Sequence, residues 1–318
     1  MTFAFVFPGQ GSQSVGMLAP LAGTEPLVQE TFAEASEVLG YDLWKLCQGG
    51  PEEELGKTER TQPAMLAAGV ATWRVWRKHG GGLPAAMSGH SLGEYSALVC
   101  SGALDFRTAV GLVQFRGQAM QAAVPAGQGA MAAILGLDDA DVEAACREAV
   151  QGNVGEVVQG ANFNSPGQVV IAGTVAAVDR AIELAKAKGA KRAIKLPVSV
   201  PSHTPLMQPA AERLAARLQQ VKFGSPEVRD IYTVDVRKHG DEASIRKALV
   251  EQLVKPVRWT ETIRAMLADG ARVIVECGPK GVLTGLNRKI ERNKDIAMLS
   301  IEDAESLQQA LQACRSNA

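Results

Sequence analysis

One five-residue segment, Gly89-His90-Ser91-Leu92-Gly93, constrains the fold more than any other part of the chain. It lies between a short apolar segment, 85–88, that predicts a strand, and the sequence EYSALVC, which predicts a helix. In that context G-x-S-x-G is typical of a nucleophile elbow, a sharp turn that needs small residues on both sides of its serine. A chance match is the alternative, and the strand and helix on either side disfavour it. The sequence therefore predicts an α/β sheet that presents Ser91 as a nucleophile.

The composition excludes several other classes of protein. The 318 residues are 46% hydrophobic and 21% charged, with a formal net charge of -1. A nucleic-acid binder is disfavoured because it would show a basic excess, and no apolar run approaches the roughly 20 residues of a membrane span. The five cysteines are scattered and form no C-x-x-C pair, which is typical of a protein of the reducing cytoplasm.

Strand and helix patterns alternate along most of the chain, as expected for a mostly parallel α/β sheet. Residues 2–7 predict a first strand, and 62–79 predict a helix that Gly80 ends. Later strands are predicted in RDIYTVDV and ARVIVECG, and a closing helix in ESLQQALQACR.

The segment 127–198 has a different pattern, with elements in the order βαββαβ. That order is typical of a ferredoxin-like unit. We therefore expect two subdomains. The larger comprises 1–126 and 199–318, and the smaller, ferredoxin-like subdomain of 127–198 is inserted into it.

A serine nucleophile needs a base, and the chain has four histidines. His203 follows the small subdomain and is flanked by prolines in VSVPSHTPLM, so it is the best candidate, with a structural role as the alternative. We expect the His90 side chain to point away from the serine hydroxyl, His79 to end a helix, and His239 to lie in a surface loop.

The third member of a catalytic triad is missing from the sequence pattern. The acidic residues between Ser91 and His203 fall in predicted helices or in turns of the small subdomain, where a triad acid is not expected. A backbone or amide oxygen is the alternative partner for the histidine. The sequence therefore predicts a Ser-His dyad.

Arg116 lies on an apolar helix face, with Leu112, Val113 and Met120 three or four residues away. A buried charge needs a partner. One interpretation is a structural arginine that reaches solvent or pairs with an acid. The other is a planar guanidinium that binds a substrate carboxylate.

The glycine-rich segment FVFPGQGSQSVGM does not match a nucleotide-binding loop. Gly9, Gly11 and Gly16 have the spacing G-x-G-x4-G, which fits neither the dinucleotide fingerprint nor the P-loop. A tight turn after the first strand remains, and it exposes backbone N–H groups. The N–H of Gln10, beside that of Leu92, is therefore a candidate oxyanion donor.

Eight blocks of sequence, in order and over nearly the whole chain, resemble those of the malonyl-CoA:acyl carrier protein transacylase family. They are FVFPGQGSQ, TQPAMLA, GHSLGEYSALVCSGAL, FRGQAMQ, GAMAAILGL, NFNSPGQVVIAG, LPVSVPSH and GPKGVLTGL. The resemblance implies an α/β-hydrolase-like large subdomain with a mostly parallel sheet and an inserted ferredoxin-like small subdomain. It also implies a cytoplasmic, monomeric acyltransferase of fatty acid synthesis. Its partners are malonyl-CoA as substrate and acyl carrier protein, with no cofactor, metal, nucleic acid or membrane.

The resemblance also implies roles for individual residues. Ser91 is the malonylated nucleophile, His203 its base, and Arg116 the partner of the malonyl carboxylate. By the same resemblance, the main-chain N–H groups of Gln10 and Leu92 are the oxyanion donors. The main-chain oxygen of Gln252 orients the histidine, and Gln62 and Asn162 line the site.

Two positions depart from the family pattern. The late glycine loop resembles G-P-G-K-V-L in the family, whereas this chain has Lys280 before Gly281. Thr233 stands where the family often has asparagine. Neither position belongs to the catalytic set, and we expect both to affect subsite geometry or carrier docking. Candidate docking surfaces for the acidic carrier are the basic runs Lys186–Lys195 and Asn287–Lys294, although such runs are often only solvated faces.

Two other functions fit part of the pattern. An esterase or thioesterase would use Ser91 and His203 equally well, but it does not explain Arg116 or the absent acid. A nucleotide-binding module is disfavoured by the glycine spacing.

Overall fold

The computed structural model describes residues 2–315. Its strands are β1 (Thr2–Phe7), β2 (Ala86–Gly89), β3 (Gly129–Leu135), β4 (Val158–Ser165), β5 (Gln168–Thr174), β6 (Arg192–Lys195), β7 (Asp230–Tyr232), β8 (Ala271–Cys277) and β9 (Ala297–Ile301). Its first helices are α1 (Ala19–Thr24), α2 (Pro26–Leu39), α3 (Leu43–Gly49), α4 (Glu52–Gly56), α5 (Thr58–Lys78), α6 (Gly93–Cys100) and α7 (Phe106–Ala123). The later helices are α8 (Asp139–Ala149), α9 (Val175–Ala187), α10 (Gln208–Leu218), α11 (Glu242–Gln252), α12 (Trp259–Ala268), α13 (Val282–Ile290) and α14 (Ala304–Arg315). Two single turns of 3-10 helix lie at Pro205–Met207 and Pro279–Gly281.

The chain forms two compact units. The first runs to Gly117 and includes Gln220–Ile245 and the chain from Thr262 onward, and the second comprises Gln118–Gln219 and Arg246–Glu261. All strands of the 127–198 segment lie in the second unit. That unit also contains Arg246–Glu261, which the sequence analysis assigned to the large subdomain.

A parallel sheet with the strand order β7-β2-β1-β8-β9 forms the centre of the first unit. The last four residues of β1 are fully buried. Phe5 in β1 packs edge-on against Trp73 and Trp76 of α5, with ring centroids 5.3 and 5.0 Å apart. Because such aromatic pairs bury large areas in a specific geometry, they fix α5 against the central strand.

The second unit contains an antiparallel sheet with the order β4-β5-β3-β6. This is the pairing expected of a βαββαβ unit, and α8 and α9 pack together against it around buried residues such as Val142 and Val178. The predicted α/β class, with a mostly parallel sheet and a separate ferredoxin-like sheet, is confirmed.

Two predicted elements have different bounds. Helix α5 begins at Thr58, before the predicted start, and Pro63 lies inside it. Pro63 lies in the second turn of α5, where it removes one N–H donor and its ring crowds the carbonyl four residues earlier. Strand β7 is shorter than predicted because the chain turns after Tyr232, where the N–H of Val236 donates to the carbonyl of Thr233.

A buried carboxylate fixes the start of α13. Glu276 in β8 is fully buried and accepts hydrogen bonds from the N–H groups of Leu283 and Thr284, at 3.1 and 2.7 Å, and from the Thr284 hydroxyl at 2.8 Å. Burial raises the pKa of Glu276 to about 7, although these hydrogen bonds act in the opposite direction. Glu276 therefore links the stability of this region to pH.

We predict that the chain loses stability relative to Glu276→Gln as pH rises from 5 to 8. The folded pKa lies above that of an exposed glutamate, so the folded state binds more protons than the unfolded state in this window, and raising the pH favours unfolding. The expected change is on the order of 1 to 3 kcal/mol in the free energy of unfolding. Urea titrations of both proteins at four pH values measure it, and a pH-independent difference would contradict the prediction.

Candidate active site

The turn around Ser91 is held by glycines that have no room for a side chain. A Cβ on Gly89 would lie 1.8 Å from the carbonyl carbon of Gly93, and one on Gly93 would lie 2.0 Å from the carbonyl oxygen of Phe7. Ser91 itself has φ 53, a left-handed conformation that is strained for a residue with a side chain. Helix α6 starts directly after it, at Gly93. These features match the nucleophile elbow predicted from the sequence.

The opening glycine-rich loop packs against this elbow. Phe7 and Gly89, the last residues of β1 and β2, are partners in the parallel sheet, and the N–H of His90 donates to the carbonyl of Phe7 at 2.9 Å. A Cβ on Gly9 would lie 2.4 Å from the carbonyl oxygen of His90. Gln10 therefore follows a point of direct main-chain contact with the elbow, in an exposed turn.

Arg116 lies in α7 and reaches the serine. Its side chain is 1% exposed, which excludes the interpretation that it extends into solvent. Nη2 donates to Oγ of Ser91 at 3.3 Å, and the guanidinium carbon lies 5.6 Å from the centroid of the Tyr95 ring. Burial lowers the pKa of Arg116, while Tyr95 and Glu94 act in the opposite direction. A buried cation is thus held beside the hydroxyl of Ser91.

Tyr95 is a part of this arrangement that the sequence analysis missed. It is fully buried in α6, and burial raises the pKa of its hydroxyl to about 12. Tyr95 lies in the first turn of α6, the helix that begins two residues after Ser91. Its ring provides a face for the guanidinium of Arg116.

His203 has a partner on one of its ring nitrogens. The residue is 3% exposed and has φ 63, and its Nδ1 lies 2.7 Å from the main-chain oxygen of Gln252. A carbonyl oxygen only accepts, so Nδ1 carries the proton and Nε2 keeps its lone pair in the neutral imidazole. The carbonyl of His203 accepts from Nε2 of Gln159 at 2.8 Å, a contact that the sequence analysis did not identify.

The segment that carries Gln252 is attached to β4. The N–H of Val257 donates to the carbonyl of Ala161 at 2.8 Å, and the N–H of Phe163 donates to the carbonyl of Val257 at 2.9 Å. Asn162 lies between these two residues at an irregularity in β4 and is 7% exposed. This pairing explains why Arg246–Glu261 belongs to the second unit, together with His203.

The other residues that the sequence analysis singled out lie in helices α5 and α6, at a helix end, and in a loop. Gln62 is buried in α5, and Leu92 is buried at the start of α6. His79 ends α5, as predicted, and its Nε2 lies 2.6 Å from a carboxylate oxygen of Glu25. His239 lies in a loop, also as predicted, although it is half-buried and its Nε2 lies 3.0 Å from Oδ1 of Asp235.

Between residues 2 and 315 there is no cluster of three or more histidine, cysteine, aspartate or glutamate residues with the geometry of a metal site. None of the helices in this range is both long enough and apolar enough to span a membrane.

Comparison with known proteins identifies the family. Residues 4–308 match the family model described as "Acyl transferase domain". The "Malonyl CoA-acyl carrier protein transacylase" of Salmonella typhimurium is 59% identical over 288 residues, which are 91% of this chain and 92% of that protein. The chain therefore belongs to the malonyl CoA-acyl carrier protein transacylase family. The protein of the same name from Bacillus subtilis is 43% identical over 312 residues, covering 98% and 97% of the two chains.

Solved structures of family members have the same fold. The malonyl CoA-acyl carrier protein transacylase of Coxiella burnetii is 52% identical, covers 98% of this chain and 97% of its own, and has a TM-score of 0.94. A malonyl-transacylase in complex with a type II PKS acyl-carrier protein is 54% identical, covers 98% and 100% of the two chains, and has a TM-score of 0.95. The resemblance seen in the sequence blocks is confirmed.

We predict that Gly89→Ala destabilises the protein strongly. The new Cβ would overlap main-chain atoms, which cannot move aside as a side chain can, so the free energy of unfolding should fall by more than about 3 kcal/mol. Gly23→Ala is the matched control, because a Cβ there meets nothing within 4 Å and the position is exposed in a helix. Urea unfolding of both variants tests this, and a loss below about 1 kcal/mol for Gly89→Ala would contradict the crowding at the elbow.

Proposed function

We propose that this chain is an acyl carrier protein S-malonyltransferase. It moves a malonyl group from malonyl-CoA to the phosphopantetheine thiol of acyl carrier protein, and so supplies fatty acid synthesis. The observation that carries the proposal is the buried guanidinium of Arg116 at 3.3 Å from Oγ of Ser91. The names of the relatives support the same substrate and carrier.

The first half-reaction makes a malonyl ester on Ser91. Oγ attacks the thioester carbonyl, and Nε2 of His203 accepts the hydroxyl proton. The main-chain oxygen of Gln252 holds the Nδ1 proton, which keeps Nε2 available as the base. The N–H groups of Gln10 and Leu92 stabilise the oxyanion of the tetrahedral intermediate. The C–S bond then breaks, and the departing CoA sulfur takes the proton from His203.

The second half-reaction uses the same groups in reverse. The thiol of the carrier's phosphopantetheine gives its proton to His203 and attacks the ester, and Ser91 leaves with that proton. Ping-pong kinetics follow from the shared covalent intermediate. Since a carbonyl rather than a carboxylate supports His203, its basicity is less enhanced, which slows the activation of water and preserves the ester until the thiol arrives.

The malonyl carboxylate is recognised by Arg116. A planar guanidinium binds a carboxylate through two parallel hydrogen bonds. An acetyl group provides no opposite charge, so the buried cation disfavours it. Gln62 and Asn162, both buried, complete the polar lining of the site in this proposal.

An esterase or thioesterase is the competing function. Ser91 and His203 suit it equally well, but it gives no reason for a buried cation beside the nucleophile. A nucleotide-binding role is disfavoured because Gly9 crowds the elbow, and because the spacing of the opening glycines fits no phosphate-binding loop.

The proposal includes the partners and the location of the protein. It acts as a cytoplasmic monomer that uses no cofactor or metal, with the CoA thioester as its substrate. The carrier docks on a basic surface that includes Lys186–Lys195 or Asn287–Lys294. Within the first run, Lys186 pairs with Glu183 and Lys195 with Asp179, at 2.8 and 2.7 Å, which reduces its net positive field.

We predict that brief incubation with malonyl-CoA adds one malonyl group to Ser91. The ester should survive in water and be discharged by holo acyl carrier protein, because the thiol is the intended acceptor. Peptide mass spectrometry locates the adduct, and Ser91→Ala is the control. Rapid release of free malonate without the carrier would favour the hydrolase function instead.

We also predict that Arg116→Leu reverses the choice of acyl group. Malonyl labelling of Ser91 should fall by about 10² to 10³, because the carboxylate loses its buried charge partner, while acetyl labelling should not fall. Competition between malonyl-CoA and acetyl-CoA, read by the mass of the Ser91 peptide, measures the ratio. Equal losses for both substrates would reduce Arg116 to a structural residue.

A further inference from the structure

The late glycine loop, Gly278-Pro279-Lys280-Gly281, follows β8 and contains the departure from the family order noted above. Lys280 has φ 70 and ψ -1, and Gly281 has φ 55. Both positions are left-handed, a conformation that glycine adopts readily and that is strained for other residues. The exchanged order therefore puts a lysine side chain at a backbone position where glycine is favoured.

That lysine reaches the opening loop. Nζ of Lys280 donates to the main-chain oxygen of Gln13 at 3.1 Å. The side-chain oxygen of Gln13 in turn accepts from the N–H of Gly11 at 2.7 Å. A further point of contact lies at Pro8, since a Cβ on Gly278 would approach the Pro8 ring to 2.5 Å. The late loop thus contacts the opening loop on both sides of Gln10.

The late loop is itself firmly anchored. After it, α13 begins on the carboxylate of Glu276, which accepts from the N–H groups of Leu283 and Thr284. A Cβ on Gly281 would approach Oγ of Ser300 and Oε1 of Glu302 to 3.1 Å. The backbone that carries Lys280 therefore has little freedom, so its ammonium group can restrain the more exposed opening loop.

We propose that Lys280 is a positioning residue that holds the opening loop so that the N–H of Gln10 faces the oxyanion. This inference rests on the proposed function, in which Gln10 is an oxyanion donor. The effect acts on the transition state, because the oxyanion exists only after the serine has attacked. It differs from a direct role in substrate binding, in which the ammonium would contact the phosphates of CoA.

The test compares Lys280→Met with the unmodified chain, since methionine removes the charge but keeps a long side chain. We expect kcat for Ser91 acylation to fall about tenfold with KM little changed, less than the 10² to 10³ for loss of a whole donor. The loss should be equal for malonyl-CoA and for the malonyl thioester of N-acetylcysteamine, which has no phosphates. Lys280→Arg should restore most of the rate. Lys222→Met, at an exposed lysine, is the matched control.

A second measurement does not depend on catalysis. Hydrogen exchange of the peptide Phe5–Met17, followed by mass spectrometry, should be faster in Lys280→Met than in the unmodified chain, and unchanged in Lys222→Met. Unchanged exchange or an unchanged kcat overturns the inference. So does a loss confined to KM for malonyl-CoA, which would assign Lys280 to the CoA phosphates. If the unmodified chain forms no malonyl ester, the proposed function fails, and the exchange measurement still decides whether Lys280 restrains the loop.

Discussion

The turn around Ser91 depends on one constraint, the close main-chain contact at the carboxyl ends of β1 and β2. Gly89 and Gly93 leave no room for a Cβ, and Gly9 meets the carbonyl of His90 in the same way. Ser91, which lies among these contacts, has a left-handed conformation, and α6 starts two residues after it. The packing of the buried parallel sheet, whose central strand contacts α5, compensates for the energetic cost of this strain. The packing that stabilises the core therefore also maintains the strained conformation of Ser91.

His203 is held in a different way. A neutral carbonyl, from Gln252, accepts the Nδ1 proton of His203. A dipole orients the ring and fixes its tautomer, but it stabilises the imidazolium less than a carboxylate would. In the proposed mechanism this suits the exchange of one thioester for another, since the base needs only modest strength in either direction. The geometry depends on the pairing of Val257 with β4, which fixes the segment that carries Gln252.

Much of this arrangement could be predicted from the sequence, because side-chain chemistry and periodicity carried the signal. The elbow glycines and the apolar surroundings of Arg116 are examples, and the βαββαβ order predicted the second sheet. The role implied for Gln252 came from family resemblance alone, since a main-chain oxygen leaves no mark on residue type. The early start of α5 was not predicted because proline is most common in the first turn of a helix. Pro63 instead lies in the second turn, where its missing N–H is tolerated. The left-handed backbone of Lys280 could not be predicted from its residue type, because glycine is the residue expected at such a position.

Arg116 and His203 differ in their electrostatic surroundings. Arg116 is a cation held at 1% exposure with the face of Tyr95 beside it, so a carboxylate that binds there adds the opposite charge in a region of low dielectric. In the proposed mechanism, His203 is supported by the carbonyl dipole of Gln252 and is charged only while it holds the transferred proton. In that mechanism a permanent charge selects the substrate, and a transient charge accompanies proton transfer. This separation would let the same base serve both half-reactions, whichever thiol enters, while the permanent cation favours malonyl as the acyl group.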